Sequence, residues 1–474
     1  MQPWHYSMQS WYDQTTLHPI GLIAVLLLGI GMLVVPRRYA LIPMLIMACF
    51  ISPAQRIVIA TLDFNLIRLL IIFGWCRLFL YGEMRGFKWK GLDSVVVMWT
   101  VIATVVVAFR EGTVQALIYR LGLTYDAIGM YFLFRMLIRS WKDLEWLMIA
   151  AAVISVPVSV VFLIEQFTGR NMFAVLGGVP EVTTIRDGKL RCRGPFPHPI
   201  LAGCFWAAMI PLIGALWWHS SRIRWLAPIG IVASLIVINA TASDSPISAV
   251  LAAIVAAALF PLRGYMRWIQ WAIVACAISL QIVMTNPIWH LMTRVRFNQG
   301  STGWYRYKMI DGFVESFDLW WLMGTRSYID IWSHGFDAIT NQYVLEGLEG
   351  GLITFILFLA MIFLGFRGAG LIQKYSSKTR FHKITAWMIG ASIFVHCVCF
   401  LAVSYFGQII MIWYLVLAIS ASLSPSSSRL QILQSRYRER RISRASSRSV
   451  EPQSDEYVIG EPGLAMKSGP TLSI

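Results

Sequence analysis

The residues best suited to chemistry lie in a short basic segment that is rich in proline. Arg191 and Arg193 stand two positions apart beside a Gly-Pro turn, in the sequence RCRGPFPHP. Each proline fixes one backbone angle and favours extended geometry in the residue before it, so the segment is predicted to be rigid. A helix beginning near Pro199 would add the partial positive charge of its N-terminus. The segment therefore suits a phosphate or diphosphate, and equally the anionic headgroups of lipids.

Three further ionisable residues stand beside or within apolar runs. His198 lies between prolines at the start of the predicted helix, where it can act as a base or, as is more common there, serve as a structural or capping residue. Glu165 and Arg68 lie near the ends of predicted spans. An ionisable residue inside a membrane is a candidate for function. Both are close enough to an interface for their charged ends to reach water, so both interpretations stay open.

A second polar segment, at about residues 287–349, is rich in Trp, Tyr and charged residues that include Arg306 and Arg326. Aromatic faces beside Asp, Asn and Arg are typical of carbohydrate binding. Trp and Tyr also form ordinary belts at membrane interfaces, and the belt is the commoner arrangement. From Trp304 to Leu322 apolar residues recur at helical spacing, which predicts a helix along the interface.

The elements that hold these segments are predicted to be membrane-spanning helices. Hydrophobic residues make up 57% of the 474-residue chain and charged residues 14%, far from the average of soluble proteins. The apolar runs are continuous rather than alternating, which favours helices over a barrel. The predicted fold is all-α: a polytopic transmembrane helical bundle of about 12–13 spans over residues 1–423, with long extracytoplasmic loops at about 167–198 and 287–349.

The net charge of +16 follows membrane topology rather than nucleic-acid binding. Basic residues concentrate in short loops between apolar runs, which is typical of the cytoplasmic side of an inner membrane, so the two long loops are predicted to face outward. The tail over 424–474 is rich in Ser, Arg and Pro and is predicted to be disordered and cytoplasmic. It is interpreted as an anchor on anionic lipid, with a regulatory docking role as the alternative. The cysteines show no metal-binding or disulfide spacing, and no cofactor is predicted.

Five segments in this order resemble the O-antigen ligase and O-antigen polymerase (Wzy-like) superfamily of bacterial membrane glycan transferases. Each segment is weak alone, and five in register over roughly residues 160–365 are fairly specific. Arg191 takes the leading Arg position of the second segment. The segments are IEQFTGRNMF at 164–173, RCRGPFPHPILAG at 191–203, ATASDSPISAVLAA at 240–253, the run from Arg306 to GTRS at 324–327, and NQYVLEGLEGGLI at 341–353.

The resemblance implies a metal-independent glycosyltransferase that uses a polyprenyl-diphosphate-linked oligosaccharide and a glycan or lipid-linked acceptor. Fixed cations would stabilise the diphosphate leaving group, and a base would take the proton of the acceptor hydroxyl. The implied catalytic residues are Arg191, Arg306 and His334, with Asp330 or Asp337 as alternative bases. The implied substrate-binding residues are Arg193, Arg68, His198, Glu165, Arg326 and Asn341. A protein that regulates chain length is a further expected partner.

One departure from the family pattern bears on the choice of activity. Ligase-type members have a His directly before the Asn of the last segment, and this chain has Thr340. The departure favours polymerisation of an exopolysaccharide or O-unit over ligation to lipid A core. The rival classes are a transporter or flippase of lipid-linked glycans, an inactive scaffolding relative and a peptidoglycan polymerase. A transporter predicts an internal repeat and polar or broken helices near mid-membrane, whereas the polar residues here concentrate in the two long loops.

Overall fold

The structure is a computed structural model that describes residues 15–59, 62–294, 303–325, 331–332, 338–376 and 379–425. This part of the chain is almost wholly helical. Its first helices are α1 (Pro19–Val34), α2 (Ile42–Phe50), α3 (Leu66–Leu80), α4 (Gly91–Glu111), α5 (Val114–Leu137), α6 (Trp141–Thr168), α7 (Pro199–Ala215) and α8 (Leu226–Ala240). The later ones are α9 (Asp244–Ala258), α10 (Met266–Val283), α11 (Gly303–Glu315), α12 (Phe317–Trp320), α13 (Gln342–Leu371), α14 (Arg380–Phe400) and α15 (Ile409–Leu423).

Two small antiparallel hairpins interrupt the helices. The first pairs β1 (Arg56–Ile59) with β2 (Leu62–Asn65), and the second pairs β3 (Ile185–Arg186) with β4 (Lys189–Leu190). Short turns of 3₁₀ helix cover Arg37–Tyr39, Met172–Leu176, Leu216–Trp218, Pro261–Tyr265 and Ile288–Arg294, and a π turn covers Ile372–Ser376.

Six helical segments of the described residues are long and apolar enough to cross a membrane. They are Gly91–Glu111, Trp141–Thr168, Pro199–Trp218, Pro261–Val283, Gln342–Tyr375 and Arg380–Phe400. Four further apolar helices are shorter, at 10–17 residues: α1, α8, α9 and α15. The chain is therefore an all-α protein with the helices of a membrane protein.

The apolar run over 39–54, which is counted among the predicted spans, forms only a short helix in the structure. Helix α2 has nine residues, about 14 Å at 1.5 Å per residue, and so is too short to cross a hydrocarbon core of about 30 Å by itself. Pro43 stands in its first turn, and the helix ends at Phe50, shortly before Pro53. The apolar composition is as predicted, and the prolines limit the length of the helix.

Helix α7 lies at the centre of the bundle and packs against α8, α9 and α14. A Cβ atom at Gly203 would lie 2.4 Å from Pro246 Cγ, so only glycine allows α7 to approach the first turn of α9 this closely. Both helices begin at the same end of the bundle as the segment that holds Arg191. The packing therefore fixes the surroundings of that segment.

Two pairs of opposite charges join neighbouring helices in the described part of the bundle. Asp93 of α4, with a side chain 0% exposed, accepts bonds from Arg135 Nε at 2.8 Å and Nη2 at 2.9 Å on α5. Arg68 of α3 donates two bonds to Asp126 of α5, at 2.8 and 2.7 Å. Because a buried charge is costly without a partner, each pair ties two helices together.

We expect Asp126→Ala to destabilise the protein by about 3 kcal/mol, because the Arg68 guanidinium loses its paired carboxylate and keeps only its bond to the Asp63 carbonyl. Thermal unfolding of the purified protein in detergent measures the change. The matched control is the double variant Arg68→Leu/Asp126→Leu, which removes both charges and should unfold much closer to wild type. Equal unfolding temperatures for Asp126→Ala and wild type would contradict a structural role for the pair.

Helix α13 is broken in its first third. Gly351 has φ 73° and ψ −173°, which only glycine adopts readily, and a Cβ there would lie 2.6 Å from the carbonyl oxygen of Leu322. The segment after α12 fills the break: Leu352 N donates to Trp321 O at 2.8 Å, and Thr325 N donates to Leu348 O at 2.9 Å. The short first part of α13 is thus held by the second polar segment.

Candidate functional site

The carboxylate of Glu165 anchors the segment between α6 and α7, residues 169–198, which we call the arginine loop. Glu165 lies near the end of α6 and is 0% exposed. Its Oε1 accepts from Thr183 Oγ1 at 2.9 Å and Arg193 N at 3.1 Å, and its Oε2 accepts from Gly194 N at 3.0 Å. Gly194 has φ +53°, a conformation that favours glycine. Glu165 therefore holds the arginine loop against the end of α6.

Glu165→Gln should loosen the arginine loop, because the amide group replaces one acceptor with a donor and leaves a buried N–H unsatisfied, at a cost of about 1–3 kcal/mol. Limited trypsin digestion followed by mass spectrometry reports the change. We expect cleavage after Arg191 and Arg193 to speed up roughly tenfold. Cleavage in the exposed β3–β4 hairpin serves as the internal reference.

Thr183→Val is the matched control, since it removes one of the three bonds and keeps the carboxylate. It should accelerate cleavage less than Glu165→Gln does. Equal cleavage rates after Arg193 in Glu165→Gln and wild type would show that the carboxylate does not hold the loop.

Two predicted catalytic arginines meet at the start of α9. Arg191 Nη2 of the arginine loop donates to Ser243 Oγ at 2.9 Å, and Arg306 Nη2 of α11 donates to Ser245 Oγ at 2.9 Å. Both serines are buried. The two guanidinium groups come from segments more than a hundred residues apart, and the turn 243–245 brings them together.

The positive charges at this turn are partly buried. Burial lowers the pKa of Arg191, with Arg186 acting in the same direction, and burial also lowers the pKa of Arg306. Asp244 acts in the opposite direction on both. Arginine stays protonated in proteins, so both groups carry full charge, and each donates a hydrogen bond to a neutral hydroxyl.

Arg191 also has an unsatisfied donor. Its Nε is buried and has no hydrogen-bond acceptor among the described residues. A buried donor without an acceptor costs about 1–3 kcal/mol, so an oxygen atom of a ligand would be favourable there. Two charged guanidinium groups and one free donor form an arrangement suited to an anion with several oxygens, such as a diphosphate.

Arg193 shapes the same loop. Its backbone N–H binds Glu165, and its Nη1 donates to Pro197 O at 3.3 Å, which closes the turn over residues 193–197. Burial lowers the pKa of Arg193, and Glu165 opposes that shift. Its guanidinium lies on the same proline-rich turn as His198.

His198 is the N-cap of α7. Its Nδ1 accepts from Ile200 N at 3.2 Å, so the neutral ring carries its proton on Nε2. Burial lowers the pKa of His198 to about 4, and Arg191 and Arg193 act in the same direction. The imidazole is therefore neutral at pH 7 and can donate from Nε2, while its basic nitrogen is occupied by the helix. Of the two predicted roles, capping is the one that the geometry supports.

The lowered pKa predicts a pH dependence of stability. Between the ordinary value of 6.5 and the folded value of about 4, the unfolded chain binds a proton that the folded chain does not. Stability should therefore fall as the pH is lowered from 6.5 to 4. His198→Asn keeps a capping side chain and should lack this component, so unfolding temperatures measured over that range should fall less steeply. Parallel curves for the two proteins would contradict the assignment.

Arg68 and Asn341 are engaged in the fold. Arg68 is neutralised by Asp126. Asn341 is 1% exposed and caps α13, since its Oδ1 accepts from Tyr343 N at 2.9 Å and Val344 N at 3.2 Å. Arg68 thus joins two helices, and Asn341 stabilises the start of one.

The remaining predicted site residues lie outside the described residues. These are Arg326, His334, Asp330 and Asp337. The identity of the base therefore stays a prediction.

Sequence reasoning gave no role to the turn that joins the two arginines. In the sequence, Ser243, Asp244 and Ser245 are distinguished only as part of a segment that resembles the family. A Ser-Asp-Ser-Pro sequence directly before an apolar run is a signal for a helix start. That signal locates the turn, but it does not predict which arginines the hydroxyls bind.

The described chain has the architecture of an all-α membrane protein with a cationic site at one turn. No family model matches the sequence, and no curated protein matches it. The resemblance to glycan transferases therefore rests on the five segments of the sequence.

Proposed function

We propose that the chain is an inner-membrane glycosyltransferase that acts on polyprenyl-diphosphate-linked oligosaccharide units. The observation that carries the proposal is the meeting of Arg191 and Arg306 on Ser243 and Ser245. These residues belong to three of the five segments that resemble O-antigen ligases and polymerases. Their convergence is what a diphosphate site built from those segments requires.

In the proposed reaction an acceptor hydroxyl attacks the anomeric carbon of the donor sugar. The bond from that carbon to the diphosphate oxygen breaks, and the diphosphate leaves with the electron pair. Negative charge therefore grows where Arg191 and Arg306 would bind, and fixed cations there stabilise the transition state more than the ground state. The proton of the acceptor passes to a base, for which His334 is the first candidate.

The proposal includes a topology. In this topology the chain crosses the membrane about 12–13 times, and the six long and four shorter apolar helices account for ten of these spans. The arginine loop and the segment around Arg306 face away from the cytoplasm. The donor would then be met at the outer face of the membrane, with the C-terminal tail inside. Labelling of single cysteines substituted at Arg186 and Lys374 would show on which side of the membrane each residue lies.

Polymerisation is favoured over ligation to lipid A core, because Thr340 stands where ligase-type relatives have His. The acceptor would then be a second lipid-linked glycan, and a regulator of chain length would be a partner.

The decisive experiment is complementation of a gene deletion in the native host. We expect Arg191→Ala and Arg306→Ala each to reduce transfer about 10²–10³-fold, the usual loss when one stabilising donor is removed. Surface polysaccharide is sized on a gel, and lipid-linked units are extracted in parallel. The variants should lose long polymer and accumulate single units.

Arg186→Ala is the matched control, since Arg186 lies in the same loop but is exposed and pairs with Asp187. It should complement fully at equal expression. Polymer that forms but stays on its carrier lipid would assign ligation instead. Unchanged glycans in the full deletion would exclude the proposal for that host's polysaccharides.

One observation favours the rival class of transporter. Helix α13 is broken at Gly351, and the buried Glu346 in its first part accepts from Trp99 Nε1 at 2.9 Å on α4. Broken helices with buried polar groups are typical of transporters. Uptake of a labelled lipid-linked glycan into proteoliposomes tests this class, and movement of lipid without transfer of sugar would support it.

A further inference from the structure

Asp244 occupies a special position in the turn that joins the two arginines. It is the first residue of α9 and stands between Ser243, which binds Arg191, and Ser245, which binds Arg306. It is partly exposed, whereas both serines are buried. It thus lies, in the backbone, between the two residues whose side chains bind the arginines.

Asp244 is the acid shared by the two arginines. It attracts the guanidinium groups of both Arg191 and Arg306, whereas Asp187 in the exposed hairpin acts on Arg191. An acid in the first turn of a helix is also favoured by the helix dipole. The helix dipole explains why an acid is favoured at this position. It does not explain why that acid stands between Ser243 and Ser245, which bind the two partly buried arginines.

We propose that Asp244 is an internal counter-anion, which competes with a bound diphosphate for Arg191 and Arg306 and so lets the diphosphate leave after transfer. This inference rests on the proposed function. The donor diphosphate is esterified at both ends, and the released polyprenyl diphosphate is esterified at one. The product can therefore carry more negative charge than the donor and would bind the arginines more tightly.

The physical reason is that a strong cationic site binds its own product. Stabilising the leaving group speeds transfer, but the same charges slow release, which often limits turnover. A fixed carboxylate beside both arginines lowers the net charge of the site without removing either donor. Asp244 would then allow the site to stabilise the leaving group and still release the product.

The test is binding of inorganic pyrophosphate to the purified full-length protein, measured by isothermal titration calorimetry. We expect Asp244→Asn to bind pyrophosphate about tenfold more tightly than wild type, since one negative charge close to the ligand is removed. The affinity should also fall more steeply with added salt. Asp187→Asn is the matched control: its side chain is 55% exposed, so solvent screens it and the affinity should change little.

The other outcomes separate this inference from the proposed function. Unchanged or weaker binding by Asp244→Asn, with wild type binding normally, would overturn the counter-anion role and leave the anion site intact. A lower unfolding temperature together with weaker binding would assign Asp244 a structural role. If neither wild type nor Asp244→Asn binds pyrophosphate, and binding is likewise absent in Arg306→Ala, the anion site itself fails and the proposed function loses its support.

Discussion

The arginine site depends on one buried carboxylate. Glu165 binds Thr183, Arg193 and Gly194 through both of its oxygens, and so holds the arginine loop on the end of α6. A carboxylate is suited to this task because it accepts several bonds at once, and bonds to a charged acceptor are stronger than neutral ones. Other bonds hold the loop elsewhere, since Gln55 Nε2 donates to Leu176 O at 2.8 Å and Cys192 N donates to Ala240 O at 3.0 Å. Glu165 fixes the turn that directly follows Arg191.

Arginines in this protein have two kinds of surroundings. Arg68 and Arg135 each bind a carboxylate on a neighbouring helix, so their charge is used within the fold. Arg191 and Arg306 bind serine hydroxyls, which satisfy a donor without cancelling its charge. The first arrangement joins helices, and the second leaves positive charge available to a ligand. In the proposed function, the second kind of arginine binds the donor diphosphate.

Sequence predicts the bundle better than the site. Long apolar runs locate the helices because spanning length and apolar composition are properties of each segment alone. The short length of α2 follows from nearby prolines, which a count of consecutive apolar residues does not take into account. Residues distant in sequence determine the contacts of Glu165, Arg68 and Asn341. The structural roles of these three residues therefore cannot be predicted before the packing of the helices is known. The Ser243–Ser245 turn is signalled as a helix start, while its two arginine partners are not.

The hairpin between α14 and α15 explains why two separate polar segments can form one site. Gln408 Nε2 donates to Pro195 O at 3.0 Å, and this bond holds the arginine loop against the hairpin. In the same hairpin Ser404 Oγ donates to Ile339 O at 2.7 Å, just before α13 begins. Tyr405 N donates to Gln342 Oε1 at 2.7 Å in the first turn of that helix. The arginine loop and the segment that leads into α13 thus share one support, residues 404–408.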